Sequence, residues 1–491
     1  MSALLALLVV LPLGAAAVTV GLHRFPRSQW VIALVTVGTT LALAVVVLVE
    51  VDRAGPLRTD LGGWPGPIAI AMVADRLSAV MLVLGAAMLF AVLLYARGQG
   101  GGAARSPYYL PAYLVLSAGV SAAFLAADLF NLFVAFEILL MASYVLITME
   151  GNDAQIRSGT TYVVINVVES ILLFLAVGFV FAATGTLSMA VLPERLANLP
   201  VGVAVGLNLL LLIAFGLKAA IFPLFSWLPD SYPAALSPVS AVFAGLLTKV
   251  GVYALIRTET LLFPGGQRTL LLVLAGITMI VGGLGAIAQV DMKRILSFHI
   301  VSQIGYMLAG LALGGVAALS ATVFFVIHQI PTKTSLFLVE GIVENDTGTS
   351  ALDRVGGLAR RSGVFAVLFL IPALSLAGVP PFSGFVAKLG LIEAGFAGAD
   401  WAIVVAALAA SLLTLVSMVK IWMGVFWGDP QPHPRGRVGI VRHHRIMGGV
   451  TTAMVAVCLA LAVAAGPIWS FCERTAAQLL DVGAYGQRAE R

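Results

Sequence analysis

Apolar residues do not alternate along this chain. They run in blocks of about 20 residues, the length an α-helix needs to cross a hydrocarbon core of ~30 Å. Fourteen blocks stand out, at 1–20, 29–50, 68–95, 108–126, 129–149, 158–183, 201–225, 235–257, 269–290, 294–314, 317–340, 363–393, 401–427 and 446–470. The pattern predicts an all-α polytopic membrane protein of about 14 transmembrane helices. The first block starts at Met1 with no basic leader and no clear cleavage signal, so it is expected to be a retained span.

Helix breakers interrupt two blocks. In the seventh, Pro223 comes five residues after Lys218; in the twelfth, Pro380, Pro381 and Gly384 come just before Lys388. Proline removes a backbone donor and clashes with the preceding turn. Lipid does not tolerate the freed carbonyls unless protein or a wet cavity satisfies them. Broken spans at matching positions of two halves point to inverted repeats around an ion site. Five spans separate the two breaks, and an odd offset turns the second copy upside down. The expected organisation is three N-terminal helices over 1–107, a first inverted repeat over 108–257 and a second over 258–427. A cytoplasmic basic loop, a last helix and a tail would fill 428–491. Odd-numbered loops hold about fourteen Lys and Arg, led by Arg435, Arg437, Arg442 and Arg445, against about five in even-numbered ones. The positive-inside rule therefore places the odd loops in the cytoplasm and both termini outside.

Composition narrows the function. The chain is 60% hydrophobic and 10% charged, which belongs to a multi-pass membrane protein and not to a soluble domain. A net charge of +5, scattered through topology-setting loops, is no nucleic-acid signature. Cys458 and Cys472 have neither disulfide-framework nor cluster spacing. No nucleotide-binding fingerprint, hydrolytic triad or histidine-pair metal site is present, so neither a cofactor nor a bound metal is expected. An ATP-driven or redox engine would have to be another polypeptide.

The candidate chemistry lies inside the apolar blocks. Of six lysines, Lys218, Lys249, Lys333, Lys388 and Lys420 interrupt them, and only Lys293 falls in an evident loop. A lysine at mid-bilayer depth costs roughly 2.5–3.5 kcal/mol on insertion scales. Unlike arginine, it can release its proton when desolvated. Glu137 shares a helical face with Phe130, Phe133, Met141 and Tyr144, where a carboxylate needs a cation nearby. Lys218 is the natural partner, and a movable Glu–Lys pair would be a proton switch feeding Lys249. The competing readings are a structural ion pair for Glu137 and snorkelling beside Arg257 for Lys249, although Leu246, Leu247, Val250 and Val252 argue for an interior place. His328 and Lys333, five residues apart, do not share a regular helical face, and Pro331 between them would either align or separate them. Lys388 would end the file, whereas Lys420, near Trp422 and Trp427, suits snorkelling. Glu169 is a second mid-span carboxylate, equally suited to function or to structural pairing. Asp75 with Arg76 reads as an interfacial pair with a supporting role.

These segments resemble the antiporter-like membrane subunits shared by Mrp-type cation/proton antiporters, respiratory complex I and membrane-bound hydrogenases. Asp128-Leu-Phe-Asn-Leu-Phe-Val-Ala-Phe-Glu137 with Ala142-Ser-Tyr144 resembles the family's fifth-helix motif. Lys218-Ala-Ala-Ile-Phe-Pro-Leu-Phe-Ser-Trp-Leu-Pro-Asp-Ser-Tyr232 resembles its seventh-helix motif, and Asp291-Met-Lys-Arg-Ile-Leu-Ser-Phe-His299 with Ser302-Gln-Ile-Gly-Tyr306 its tenth-helix segment. The likeness spans the chain and is greatest to the D-type subunits of Mrp-type Na⁺/H⁺ antiporters, whose length it matches. It implies a conserved Glu137–Lys218 pair, Lys249 as central lysine, an eleventh-helix station at His328 and Lys333, and Lys388 as the twelfth-helix lysine. Pro331 departs from that pattern. The resemblance also implies a secondary transporter subunit, not an enzyme, that works with other membrane subunits. H⁺ would pass along this chain, and Na⁺, which needs hard oxygen ligands, would pass through a partner. A proton-pumping subunit of a complex I-type oxidoreductase or hydrogenase is the alternative.

Overall fold

Within lipid, a helix can satisfy all its own backbone polar groups, and the computed structural model is built almost wholly of helices. It describes residues 2–61, 70–99, 106–429 and 445–487. The spanning helices are α1 (Ser2–Gly21), α2 (Pro26–Ala54), α3 (Arg76–Gln99), α4 (Tyr109–Leu125), α5 (Leu129–Thr148) and α6 (Asp153–Thr184). They continue as α7 (Val201–Ala219), α8 (Ser237–Leu262), α9 (Arg268–Ala288), α10 (Met292–Leu313) and α11 (Gly315–Thr347). The half-helices α12 (Gly363–Ala377) and α13 (Ser383–Ala397) follow, then α14 (Trp401–Trp427), α15 (Arg445–Val463) and the amphipathic α16 (Ala465–Leu480). Arg435, Arg437 and Arg442, which contribute to the orientation argument, lie outside the described residues.

Several boundaries depart from the sequence reading. The third block was expected to be helical from residue 68, but Ile70–Ala74 (β2) pairs antiparallel with Leu57–Leu61 (β1), and helix begins only at Arg76. A short apolar run does not declare its own period, and here cross-strand pairing wins. Helix α7 stops at Ala219, because Ala220 adopts a left-handed φ of 61° and Pro223 cannot extend the ladder. Lys293 is not in a loop. It occupies the first turn of α10, where the Asp291 side chain caps the Arg294 amide at 3.0 Å. The fourteenth block breaks at Ala464, and α16 turns away as a separate helix.

One local motif occurs twice at a constant offset. Asp128 caps α5 and bridges to Ser188, past the end of α6; Asp291 caps α10 and bridges to Ala351, past the end of α11. Each outgoing helix ends in Thr-Gly-Thr, Thr184 to Thr186 and Thr347 to Thr349. The glycine is left-handed in both, with φ of 73° and 77°. The first threonine donates to the second's carbonyl at 2.8 Å in both. Helices α5 to α9 separate the copies, so five crossings put them on opposite faces.

Burial sorts the helices into layers. The most apolar stretch of α8 is wholly covered by the rest of the chain, and those of α10 and α11 are 94% and 83% buried. In α2, α6 and α15 the share falls to 33%, 33% and 28%. Val164, Val168, Ile171 and Phe174 of α6 point outward, as on a surface facing lipid or another apolar helix. Polar side chains therefore collect on the inner helices, where protein rather than lipid surrounds them.

Candidate functional site

The break in α7 fixes the position of Lys218. Lys218 is the penultimate residue of that helix, and the Leu217 carbonyl beside it accepts from Trp227 Nε1 at 3.2 Å. The Lys218 ammonium lies 3.7 Å from Glu169 Oε2, both side chains being 1% exposed. It donates to Asn166 Oδ1 at 3.2 Å and faces the Phe136 ring at 5.9 Å. Asn166 and Glu169 are three residues apart on α6 and share a face.

Glu137 occupies a different position from that expected. It is half-buried on α5 and accepts a hydrogen bond from Ser170 of α6 rather than pairing with Lys218, which faces the neighbouring Phe136 ring instead. The direct carboxylate partner is Glu169, because α6 carries that residue on the face turned toward the α7 break.

Lys249 is 1% exposed in the middle of α8, just after a wide π-type turn over Phe243–Leu247. Its amine donates to the Ala244 carbonyl at 2.8 Å and lies 3.4 Å from Thr248 Oγ1. No carboxylate comes within 4 Å of it among the described residues. Gly251 brings α8 against the α7 break: a Cβ there would sit 2.7 Å from the Ala219 nitrogen and 3.0 Å from the Lys218 carbonyl carbon.

Lys333 is fully buried on α11 and reaches the Leu296 carbonyl of α10 at 3.4 Å. His328 faces another way, with Nδ1 2.9 Å from Ser383 Oγ and 3.2 Å from Thr332 Oγ1. Pro331 leaves α11 continuous and does not bring the two together. Lys388 folds back over the second break and donates to the Leu376 and Ala377 carbonyls, both at 3.0 Å. A cation at the C-terminal end of a half-helix is favourably placed against the helix dipole. The Tyr306 ring lies 4.9 Å away. Lys333 is within electrostatic reach of both Lys249 and Lys388, and the charges of Lys333 and Lys388 in turn reach His328. Lys420 instead caps α9 through the Ile287 and Gln289 carbonyls at 2.8 and 2.6 Å.

Asp75 pairs with Arg257 of α8, not with Arg76. The contacts are 2.6 and 2.9 Å, and both side chains are 3% exposed. Arg76 bonds Asp52 instead, at 2.8 Å. Burial alone would raise the Asp75 pKa, but the Arg257 guanidinium and Ser78 hold it below the ordinary carboxylate value. Pro223 and Pro381 lie in the two breaks, each after a cis peptide bond.

Sequence spacing missed a polar cluster beside Lys333. His299 Nε2 is 2.6 Å from Ser417 Oγ, Gln329 Nε2 donates to Gln303 Oε1 at 3.2 Å, and all four are buried. His299 and Gln303, four apart on α10, were readable as one polar face; Gln329 was not assignable without the packing. Among the described residues no group of three or more His, Cys, Asp or Glu side chains is placed to hold a metal ion. A groove of about 740 Å³ between α9 and α14 is apolar and touches none of these stations.

Fold and site together define a class: a helical membrane protein with two interrupted helices and a buried band of titratable side chains. Residues 126–414 match the family model described as NADH:quinone oxidoreductase/Mrp antiporter, transmembrane. The chain is 42% identical to the D-type subunit of the Na⁺/H⁺ antiporter of Alkalihalophilus pseudofirmus over 462 residues, 93% of each protein. Its structure is similar to a chain of the Mrp complex from Dietzia sp., with a TM-score of 0.93, 31% identity and 99% coverage of both chains. A chain of respiratory complex I from Thermus thermophilus shares the fold, with a TM-score of 0.80 at 23% identity over 96% of this chain and 99% of that one. The protein belongs to the NADH:quinone oxidoreductase/Mrp antiporter membrane family.

Proposed function

We propose that this chain is the D-type, proton-translocating subunit of a multisubunit Na⁺/H⁺ antiporter in the cell membrane. The observation that carries the reading is the band itself. Lys218, Lys249, Lys333 and Lys388 are all at most 4% exposed, inside helices that are apolar elsewhere. Holding all of them as ammonium groups there is costly, and a desolvated lysine lowers that cost by giving up its proton. The 42% identity to a D-type antiporter subunit over nearly the whole chain supports the assignment.

In the proposed mechanism, Glu137 and Glu169 hold the proton on Lys218, and weakening that grip releases it toward Lys249. From there it passes to Lys333 and His328, and leaves by Lys388. Among the described residues no cluster of three or more His, Cys, Asp or Glu is placed to hold a cation, and Na⁺ needs hard oxygen ligands, so Na⁺ is assigned to a partner subunit or an interface with one. The twice-occurring capping motif supports two inverted units over 108–257 and 258–427, preceded by the helices of 1–107 and followed by 428–491. The reading makes this a transporter subunit rather than an enzyme. The shared family keeps a second assignment in view, a pumping subunit of a redox complex; iron–sulfur or flavin subunits in the purified assembly would select it.

The test is Glu137→Ala and Lys218→Ala in the assembled complex. Intact assembly with exchange abolished supports proton transfer; exchange at the unaltered rate refutes it.

A further inference from the structure

A buried carboxylate outside the mid-membrane band remains without a role. Glu340 of α11 is fully buried, and neither carboxylate oxygen has a hydrogen-bond partner among the described residues. Buried carboxylates kept for structure are normally paired and bonded. Lys293 is the cation whose field acts on Glu340, yet it makes no hydrogen bond to it: its amine donates to Glu344 Oε2 at 2.7 Å and to the Ala235 carbonyl at 3.3 Å.

Helix geometry aligns Glu340 with the band. Seven residues separate it from Lys333, two turns of α11, so it lies on nearly the same face and about 10 Å further along the axis. Beyond it the helix reaches the surface. The Glu344 side chain is 36% exposed and also accepts from Ser237 Oγ at 2.9 Å. Lys333, Glu340 and Lys293 are all buried, and exposure begins only at Glu344. The level is otherwise closely packed, since a Cβ on Gly341 would sit 2.6 Å from both the Tyr95 hydroxyl and Ser237 Cβ. The groups whose fields act at this level are Lys293, Asp291, Glu344 and Asp346, together with the Tyr95 hydroxyl.

We propose that Glu340 is a proton-relay residue connecting Lys333 to the membrane face that bears Lys293 and Glu344. By loop charge that face is the cytoplasmic one. A proton taken from water at Glu344 moves to the Glu340 carboxylate. The resulting carboxylic acid gives it to the neutral amine of Lys333, leaving a carboxylate and an ammonium. Lys293 stays bound to Glu344 and keeps the uptake site from carrying net negative charge. The same bonds break and form in reverse when protons leave by this face.

This inference rests on the proton-path reading, and the experiment separates the two. Glu340→Gln, Glu340→His and Lys249→Ala are made in the complete antiporter complex, reconstituted in proteoliposomes. Na⁺-driven H⁺ flux is followed while pH is varied separately on each face. Glu340→Gln is expected to slow exchange on the order of 100-fold, the usual worth of a positioned proton-transfer group. Glu340→His should restore part of the rate and shift its pH dependence on the Glu344 face alone. Should Glu340→Gln exchange normally while Lys249→Ala is inactive, Glu340 is off the route and the path itself stands. Normal exchange by both would overturn the path as well. Equally slow Gln and His variants with an unchanged pH profile would reduce Glu340 to a packing residue. If Glu340→Gln does not assemble, Glu344→Gln reads the same route from the surface: slower exchange with a shifted profile on that face supports the relay, and an unaltered profile overturns it.

Discussion

Lys218 lies among groups from different helices: Glu169 of α6 at ion-pair distance and Glu137 of α5 one side chain further out, on Ser170. With Glu169 closer, its neutralisation should matter at least as much as that of Glu137. Glu169→Gln is expected to slow exchange by on the order of 100-fold, measured as ΔpH dissipation in everted vesicles; a variant slowed less than Glu137→Gln would return the primary role to Glu137. Asp75 tests a structural pair. Replacing it by Asn leaves the Arg257 guanidinium buried without its counter-ion, a loss of about 3–5 kcal/mol that should appear as a lower unfolding temperature in detergent. The pH sign follows from its lowered pKa: the pair's stabilisation is present above the unfolded carboxylate value of about 3.9 and disappears as pH falls toward the folded one. The unaltered protein should therefore lose stability on acidification more steeply than Asp75→Asn.

At the scale of elements, blocks of apolar sequence located nearly every helix, because span length is set by the bilayer rather than by local propensity. What they did not contain was azimuth. Glu169 lies in the same block as Ser170, and only the packing of α6 against both α5 and α7 turns one toward Lys218 and the other toward Glu137. The β1–β2 hairpin was hidden for a related reason, since Ile70–Ala74 is as apolar as the helix that follows. Both breaks were legible as candidates from Pro223 and the Pro380–Pro381 pair, but proline alone does not decide: Pro331 lies inside the continuous α11, whereas left-handed residues, Ala220 and Gly378, end the helices at the two breaks. The close approach of α8 to the first break depends on one glycine. Gly251→Val would force atoms into the Ala219 backbone, so α8 must shift away from Lys218. Slower exchange and a lower unfolding temperature are expected together, with the α7–α8 separation reported by a spin-label pair; unchanged exchange would show that the Lys218–Lys249 step tolerates that displacement.

For the molecule as a whole, inner helices with titratable groups lie within an outer ring that turns Val164, Val168, Ile171 and Phe174 outward. In a chain arranged this way the buried band is covered by its own helices. The central claim is that the lysines act by releasing protons and not merely by carrying charge. Lys249→Arg separates the two, because arginine keeps the charge and a similar length but does not deprotonate in proteins. The deciding measurement is Na⁺-driven H⁺ flux in proteoliposomes of the assembled complex bearing Lys249→Arg. The account predicts a fall to the level of empty vesicles with assembly intact; flux at the rate of the unaltered complex would contradict it.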